Sequence, residues 1–84
     1  MELNETINLM KSHDYKERFK GEYYQAKIRY EKLDNMLSKL LEDKLEFEPA
    51  CSRALLVKQL FILENYIKIL ETRAKLEHIK LEQF

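Results

Sequence analysis

Three polar side chains with chemically useful groups recur at seven-residue intervals in the second half of the chain. They are Gln59, Tyr66 and Arg73, which we call the polar stripe. Arginine offers a planar fork of donors that suits phosphate, tyrosine a stacking ring with a hydroxyl, and glutamine a donor and an acceptor for a base edge. Side chains at this spacing share one face of an α-helix. The polar stripe therefore predicts a surface for a small ligand that contains phosphate and an aromatic base.

Aromatic and basic side chains are also interleaved in the first half of the chain. Lys27 and Arg29 flank Tyr30, and Tyr15 and Tyr24 lie upstream. Stacking a base on an aromatic ring contributes ~1–3 kcal/mol, and nearby basic residues neutralise phosphates. Tyr15 and Tyr24 fit the helical apolar pattern described below poorly. We therefore predict that they bind a ligand together with Lys27 and Arg29.

Both groups also have a structural interpretation, which the sequence leaves open. The polar stripe would then satisfy its own groups or backbone groups at a subunit interface, where tyrosine and arginine are enriched. Lys27 and Arg29 would form a solvated helix face. Two separated histidines and a single cysteine predict neither a metal site nor an intramolecular disulfide.

Glycine and proline are nearly absent, with one of each among 84 residues. Phosphate-cradling loops, nucleophile elbows and dinucleotide fingerprints need several glycines, because the backbone there approaches a ligand or takes a positive φ. No nucleophile–base pair and no pair of catalytic carboxylates stands out from the solvated acids. We therefore expect a binding protein without a cofactor rather than an enzyme.

The charge balance bears on the partners and the location of the protein. Its 15 basic and 15 acidic residues cancel, so no overall field attracts a nucleic-acid polymer or a membrane surface. The first residues include early acids and no continuous apolar core, unlike a signal peptide. No apolar run approaches the ~20 residues that span a bilayer. We expect a soluble cytoplasmic protein with no DNA, RNA or membrane partner.

Apolar residues at helical spacing, without hairpin-turn signals, predict an all-α fold. A short helix is expected over about 2–11. Asp14 followed by Glu17 predicts an N-cap and a capping box for a long helix over about 15–44. Gly21 lies early in this helix, where glycine weakens the helix and can mark a bend. The apolar seam of the helix comprises Phe19, Tyr23, Ala26, Tyr30, Leu33, Leu37 and Leu40.

The segment over about 45–51, Leu-Glu-Phe-Glu-Pro-Ala-Cys, is the only turn-like part of the chain. Ser52 then predicts the N-cap of a second long helix over about 52–80. A connection this short places the two long helices antiparallel. Residues 1–84 are therefore predicted to form one domain, an antiparallel two-helix hairpin with a short N-terminal helix.

The last helix carries two apolar stripes, although packing against one partner helix needs only one. The inner stripe is Leu56, Leu60, Leu63, Ile67, Leu70 and Ala74. The outer stripe is Leu55, Ile62, Ile69 and Leu76, interrupted by the polar stripe. In a lone hairpin the outer stripe faces water, as do Met36 and Leu41. Long exposed apolar bands usually mark interfaces, and a hairpin this small buries little surface alone. We expect the chain to assemble through its outer stripe as a homo-oligomeric helical bundle.

Particular segments carry a family resemblance. They are DYKERF, YYQAKIRYEKLDNML, a Phe-Glu-Pro turn, and a leucine–glutamine–tyrosine–arginine spacing that runs from Leu56 through Gln59 and Tyr66 to Arg73. Over about residues 15–79, these features resemble the small hairpin proteins of phages and prophages that act as anti-CBASS and anti-Thoeris sponges.

The resemblance implies a homo-oligomer, typically a hexamer, that binds cyclic di- or trinucleotides or cyclic ADP-ribose isomers without cleaving them. Sequestering such a signal keeps a bacterial immune effector inactive in the cytoplasm of the infected host. In such proteins an N-terminal aromatic stacks on a base, an early lysine of the first long helix contacts phosphate, and an arginine late in the second lines a separate pocket. By position, Tyr15, Lys27 and Arg73 are the nearest matches.

Two functions from different classes therefore remain. The sequence favours a sponge that sequesters a cyclic nucleotide signal in pockets between subunits. The alternative is a structural or protein-binding hairpin, such as a phage adaptor, that uses its outer stripe on a partner protein and binds no small molecule. Calorimetry with cyclic nucleotides and cyclic ADP-ribose isomers separates the two.

Overall fold

Helices make up all the regular structure in the computed structural model, which describes residues 1–82. In chain order they are a 3₁₀ turn, Leu3–Thr6, then α1, Ile7–Met10, α2, Tyr15–Leu41, and α3, Arg53–Leu76. No strand occurs within these residues, so the prediction of an all-α fold is confirmed. The short helix expected over about 2–11 is instead a 3₁₀ turn followed by one α-helical turn, since so short a helix has little stability of its own.

The two long helices begin where their cap residues predict. The Asp14 carboxylate accepts the amide N–H of Lys16 at 3.0 Å, and the Ser52 hydroxyl accepts that of Leu55 at 3.2 Å. Each bond satisfies an amide that has no partner inside its helix. The capping box expected from Glu17 is replaced, because the Asp14 N–H donates to a serine hydroxyl two residues earlier at 3.0 Å.

Both long helices end before the predicted positions, at Leu41 rather than about 44 and at Leu76 rather than about 80. Residues in the left-handed conformation end them: Asp43 with φ 56° and His78 with φ 58°. After each, the next amide donates to a carbonyl five residues earlier at 2.8 Å, as in a Schellman motif. Neither position is glycine, so the sequence did not show where these helices stop.

The start of α2 packs against the end of α3, so the two helices run antiparallel. Tyr15 donates a hydrogen bond to Glu77, and Tyr23 donates one to Glu71. The core cluster comprises Phe19, Tyr23, Tyr24, Ala26, Ile67, Leu70, Ala74 and Ile79. Its α2 members all come from the first half of that helix and its other members from residue 67 onward. The core cluster therefore lies at the end remote from the 42–52 connection, although Leu37 and Leu56 are also buried nearer to it.

The N-terminal segment packs on α2 at Gly21. A Cβ at this position would lie 2.9 Å from Met10 Cγ and 3.1 Å from Leu9 Cβ, which is closer than a side chain tolerates without movement. Gly21 therefore permits the close approach of α1, a role that helical periodicity did not predict. Gln25 Nε2 also donates to Met10 Sδ at 3.3 Å, which ties the segment to α2.

The outer stripe faces solvent in the single chain, as predicted. Leu55, Ile62, Ile69 and Leu76 are each more than half exposed, whereas the inner-stripe residue Leu70 is 1% exposed. Leu41 is exposed as expected, but Met36 is only half-buried rather than exposed.

Candidate ligand-binding site

Two predicted ligand residues, Tyr15 and Arg73, lie together where the start of α2 meets the end of α3. Arg73 Nη2 donates to Tyr15 Oη at 2.8 Å, and Arg73 Nε donates to Glu77 Oε2 at 3.0 Å. Tyr15 Oη in turn donates to Glu77 Oε1 at 2.7 Å. Tyr15, Arg73 and Glu77 thus close a ring of hydrogen bonds, which we call the Arg73 cluster.

The Arg73 cluster also borders the core. The guanidinium carbon of Arg73 lies 5.1 Å from the centroid of the Phe19 ring, within reach of a cation–π interaction. The hydrogen bond to Glu77 raises the pKa of Arg73 and is also the main cause that raises the pKa of Tyr15. Hydrogen bonds from Tyr15 and then Arg73 lower the pKa of Glu77. At neutral pH the cluster therefore holds one positive and one negative charge.

The three members of the polar stripe do not meet in a single pocket of one chain. The Tyr66 hydroxyl donates to the Glu22 carboxylate on α2, whereas Arg73 belongs to its own cluster. Gln59 borders an open groove of about 580 Å³ that is otherwise lined by Leu55, Lys58, Ile62 and Leu63. Successive members lie about 10 Å apart along the helix, at 1.5 Å per residue. Within one chain the polar stripe is a row of separate contacts.

The polar stripe lies between the packed face of α3 and the outer stripe. At about 100° per residue, polar-stripe residues lie roughly 60–100° round the helix from Ala74 on the packed face. The outer stripe lies on the same side, roughly 100–160° from Ala74 by the same measure. A second protein surface placed on the outer stripe would therefore border the polar stripe.

Tyr24 corrects one interpretation made from the sequence. It was predicted to lie outside the apolar pattern, but it is 3% exposed and belongs to the core cluster. Its ring packs edge-on against Tyr23, with the centroids 5.5 Å apart, and its hydroxyl accepts the Glu82 N–H at 2.9 Å. The helical pattern missed this because the segment after α3, which includes buried Ile79, covers an additional face of α2.

Lys27 lies beside the core rather than beside the Arg73 cluster. Its Nζ is 3.4 Å from Tyr23 Oη and 5.7 Å from the centroid of that ring. Arg29 is exposed on α2. Side chains two residues apart on a helix point in nearly opposite directions, so Lys27 and Arg29 do not share a site within one chain.

The sequence did not predict the carboxylates that form hydrogen bonds with these arginine and tyrosine side chains. Glu77 lies one helical turn after Arg73, and that spacing alone could have predicted the pair. Glu22 and Glu71 instead reach their tyrosine partners across the two long helices. Those pairs could be found only once the register of α2 against α3 was known.

Residues 1–82 offer neither a metal-binding cluster nor a membrane-spanning helix. No three His, Cys, Asp or Glu side chains in this part of the chain are grouped so as to hold a metal ion. No described helix is both long and apolar enough to cross a bilayer.

The arrangement is that of a small helical protein in which a polar stripe runs beside an exposed apolar stripe. This chain belongs to the Sequestin family, whose model matches residues 13–76. The match agrees with the resemblance to signal-sequestering phage sponges, and the predicted family is confirmed. The family name suggests a sequestering rather than a catalytic role. No curated protein and no solved structure matches the chain.

Proposed function

We propose that this chain binds cyclic di- or trinucleotides, or a cyclic ADP-ribose isomer, without cleaving them, in pockets between the subunits of a homo-oligomer. Retaining such a signal in the cytoplasm of an infected bacterium would keep an immune effector inactive. The observation that carries the proposal is the position of the polar stripe between the packed face and the outer stripe of α3. Membership in the Sequestin family supports the sequestering part of the proposal.

Assembly is the first step of the argument. Ile62 and Ile69 are more than half exposed, and so is the neighbouring Phe61. Apolar side chains in such a band gain about 25 cal/mol per Å² when another surface covers them. A second copy of the chain offers the same band, and closed symmetry is the usual form of soluble homo-oligomers. Covering the outer stripe would turn the adjacent polar stripe into the wall of an intersubunit pocket.

The chemistry of the pocket wall is the second step. Arg73 presents a planar fork of donors suited to phosphate, and the half-exposed ring of Tyr15 lies beside it for stacking on a base. Gln59 and Tyr66 add groups that can donate and accept hydrogen bonds. These groups match the phosphodiesters and bases of a cyclic nucleotide.

Binding without turnover is tested by recovering the ligand. The purified protein is screened by calorimetry against cyclic di- and trinucleotides and cyclic ADP-ribose isomers, and each bound ligand is then released by heat denaturation. We expect the compound to disappear from free solution and to return intact. Recovery of a linear product would show that the protein is an enzyme.

Arg73→Lys tests whether the polar stripe touches the ligand. The change keeps the positive charge and removes the two-pronged donor geometry, so binding should weaken while assembly is unchanged. A charge-assisted hydrogen bond contributes ~1.5–3 kcal/mol, which corresponds to about a tenfold to hundredfold loss of affinity. Tyr66→Phe, which removes a single hydroxyl, should have a smaller effect in the same direction.

Arg53→Lys is the matched control, because Arg53 is exposed on the same helix outside the polar stripe. It should bind like the wild type. If Arg73→Ala retains full affinity in a still-oligomeric protein, the polar stripe is structural. The pocket would then have to be sought away from the polar stripe, beside Lys27 on α2.

A protein-binding hairpin is the second candidate, and the exposed outer stripe favours it equally. In that case the stripe would cover a surface of a different protein, as in an adaptor. The two candidates differ in the isolated protein. The sponge is an oligomer that binds a cyclic nucleotide, whereas the adaptor is a monomer that binds none.

A further inference from the structure

We infer that Glu77 is a built-in competitor for the anion that Arg73 binds, and that it makes the site prefer phosphodiesters over terminal phosphates. The inference rests on the proposed function and adds the basis of selectivity to it. It starts from the Arg73 cluster, in which one whole edge of the guanidinium is already occupied.

The geometry of the occupied edge is specific. Arginine binds phosphate most strongly through two parallel N–H groups on one edge. In Arg73, Nε on this edge donates to Glu77 Oε2 at 3.0 Å, and Nη2 donates to Tyr15 Oη at 2.8 Å. A phosphate that uses this edge must therefore displace both the carboxylate and the hydroxyl.

Displacement is feasible because the cluster is open to solvent. The side chains of Arg73 and Glu77 are 45% and 33% exposed, and exposed ion pairs of this kind are weak. The displaced carboxylate still lies one helical turn away, so it repels any anion that replaces it. Coulomb repulsion scales with the charge of that anion. A phosphodiester carries one negative charge, whereas a terminal phosphate carries about −1.5 to −2 at neutral pH.

The consequence is discrimination between cyclic and linear nucleotides. A cyclic oligonucleotide presents only diesters, and its other phosphates and bases add contacts that offset the loss of the Glu77 bond. Inorganic phosphate, mononucleotides and linear dinucleotides each present a terminal phosphate that is repelled more strongly. Tyr15 takes part in the exchange, because the same displacement breaks the hydrogen bond that it accepts from Arg73.

The test compares the wild type with Glu77→Gln, which keeps the size of the side chain and an acceptor for Arg73 while removing the charge. The probes are cyclic di-AMP and its linear form pApA, which carries a terminal phosphate, measured by calorimetry at low salt. We expect Glu77→Gln to bind pApA about tenfold more tightly and cyclic di-AMP about threefold more tightly. The reason is that the negative charge of the phosphate group bound at Arg73 differs by about a factor of two between the two probes. The preference for the cyclic form should therefore shrink about threefold.

Glu42→Gln is the matched control, because Glu42 pairs with Lys44 at 3.2 Å at the opposite end of the molecule. It should leave both affinities unchanged. If the wild type binds cyclic di-AMP through Arg73 and Glu77→Gln leaves the cyclic-to-linear ratio unchanged, the inference is wrong although the proposed function stands.

Inorganic phosphate tests the inference separately from the proposed function. Phosphate is titrated while the Nε–Hε signal of Arg73 is followed by NMR in the wild type and in Glu77→Gln. The signal should shift at about tenfold lower phosphate in the variant. Equal titration curves would overturn the role of Glu77, even where no nucleotide binds.

Discussion

At the scale of single residues, Tyr23 combines full burial with a charged partner. Its side chain is 0% exposed in the core, and its hydroxyl donates to Glu71 Oε2 at 2.9 Å. Burial, followed by the hydrogen bond to Glu71, raises the pKa of Tyr23 from 10.0 to about 12. Between about pH 10 and 12 the folded protein therefore favours the neutral phenol, whereas the unfolded chain favours the phenolate.

Tyr23→Phe should change how stability responds to alkaline pH. The folded protein holds the phenol proton of Tyr23 more tightly than the unfolded chain does. The resulting contribution to the free energy of unfolding is therefore complete below pH 10 and is lost as pH rises towards 12. The raised pKa corresponds to roughly 2–3 kcal/mol. Denaturant unfolding between pH 9 and about 12 should show a smaller loss of unfolding free energy in the variant than in the wild type. At neutral pH the variant should be about 1 kcal/mol less stable, because it lacks the bond to Glu71.

Glu71→Gln is the companion variant. It removes the carboxylate but leaves Tyr23 buried, which is the larger cause of the raised pKa. The alkaline loss of stability should therefore be reduced but not abolished. An unchanged pH profile in Tyr23→Phe would mean that this hydroxyl does not titrate on unfolding.

Single side chains also show how far the candidate site could be predicted. Spacing alone placed Gln59, Tyr66 and Arg73 on one helix face, because helical geometry is regular. It did not show that Tyr15 contacts Arg73. That contact depends on the register of α2 against α3, and the two residues are far apart in the sequence. Tyr24 was misplaced because the helical pattern does not show which further segments cover a helix.

At the scale of helices, α2 and α3 share the same C-terminal capping geometry. Each end has a non-glycine residue with positive φ, Asp43 or His78, followed by a hydrogen bond to a carbonyl five residues earlier. Aspartate and histidine tolerate this conformation better than most residues, but it remains strained for any side chain with a Cβ. Both ends are therefore places where a substitution should stabilise the protein.

Asp43→Gly should raise the free energy of unfolding by about 0.5–1 kcal/mol, because glycine adopts the positive φ without steric cost. The measurement is urea denaturation followed by circular dichroism. Lys39→Gly, one helical turn earlier, is the control and should lower stability by about 1 kcal/mol, since there glycine lies inside the helix. If both variants lose stability, Asp43 makes a favourable contact that outweighs its strain.

The same helix ends mark the limit of what the sequence predicted about the fold. Apolar periodicity identified both long helices, and Asp14 and Ser52 marked their starts, because capping residues are chemically distinctive. The stops were predicted too late, since Asp43 and His78 are not recognisable as left-handed residues from their type. The role of Gly21 depends on the packing of α1, which local sequence does not encode.

At the scale of the whole molecule, the outer stripe is the feature that most needs a partner. Ile69→Glu places a charge in the middle of this stripe, and burying that charge in an apolar contact is costly. We expect the variant to dissociate to monomers at micromolar concentration while its helix content is retained. Light scattering measures the mass. Lys75→Glu, at an exposed position of the same helix that points away from the outer stripe, should leave the assembly intact.

A wild-type protein of monomer mass at the same concentration would contradict the proposed assembly. The outer stripe would then be available to a different protein, as in the adaptor. Retention of cyclic nucleotide binding by a monomeric Ile69→Glu variant would contradict the placement of pockets between subunits.

Because the core cluster lies away from the 42–52 connection, few packing contacts depend on an intact chain there, and the link acts mainly by keeping the two helices at a high effective concentration. Residues 42–52 are mostly exposed and lie far from the core cluster. A protease should nick the chain there, and the two fragments should remain associated because the core cluster does not involve this segment. Native mass spectrometry should detect both fragments in one particle, whereas a denaturing gel separates them. Mixing separately made peptides 1–44 and 50–82 should then restore helical structure in a concentration-dependent manner, which is fragment complementation.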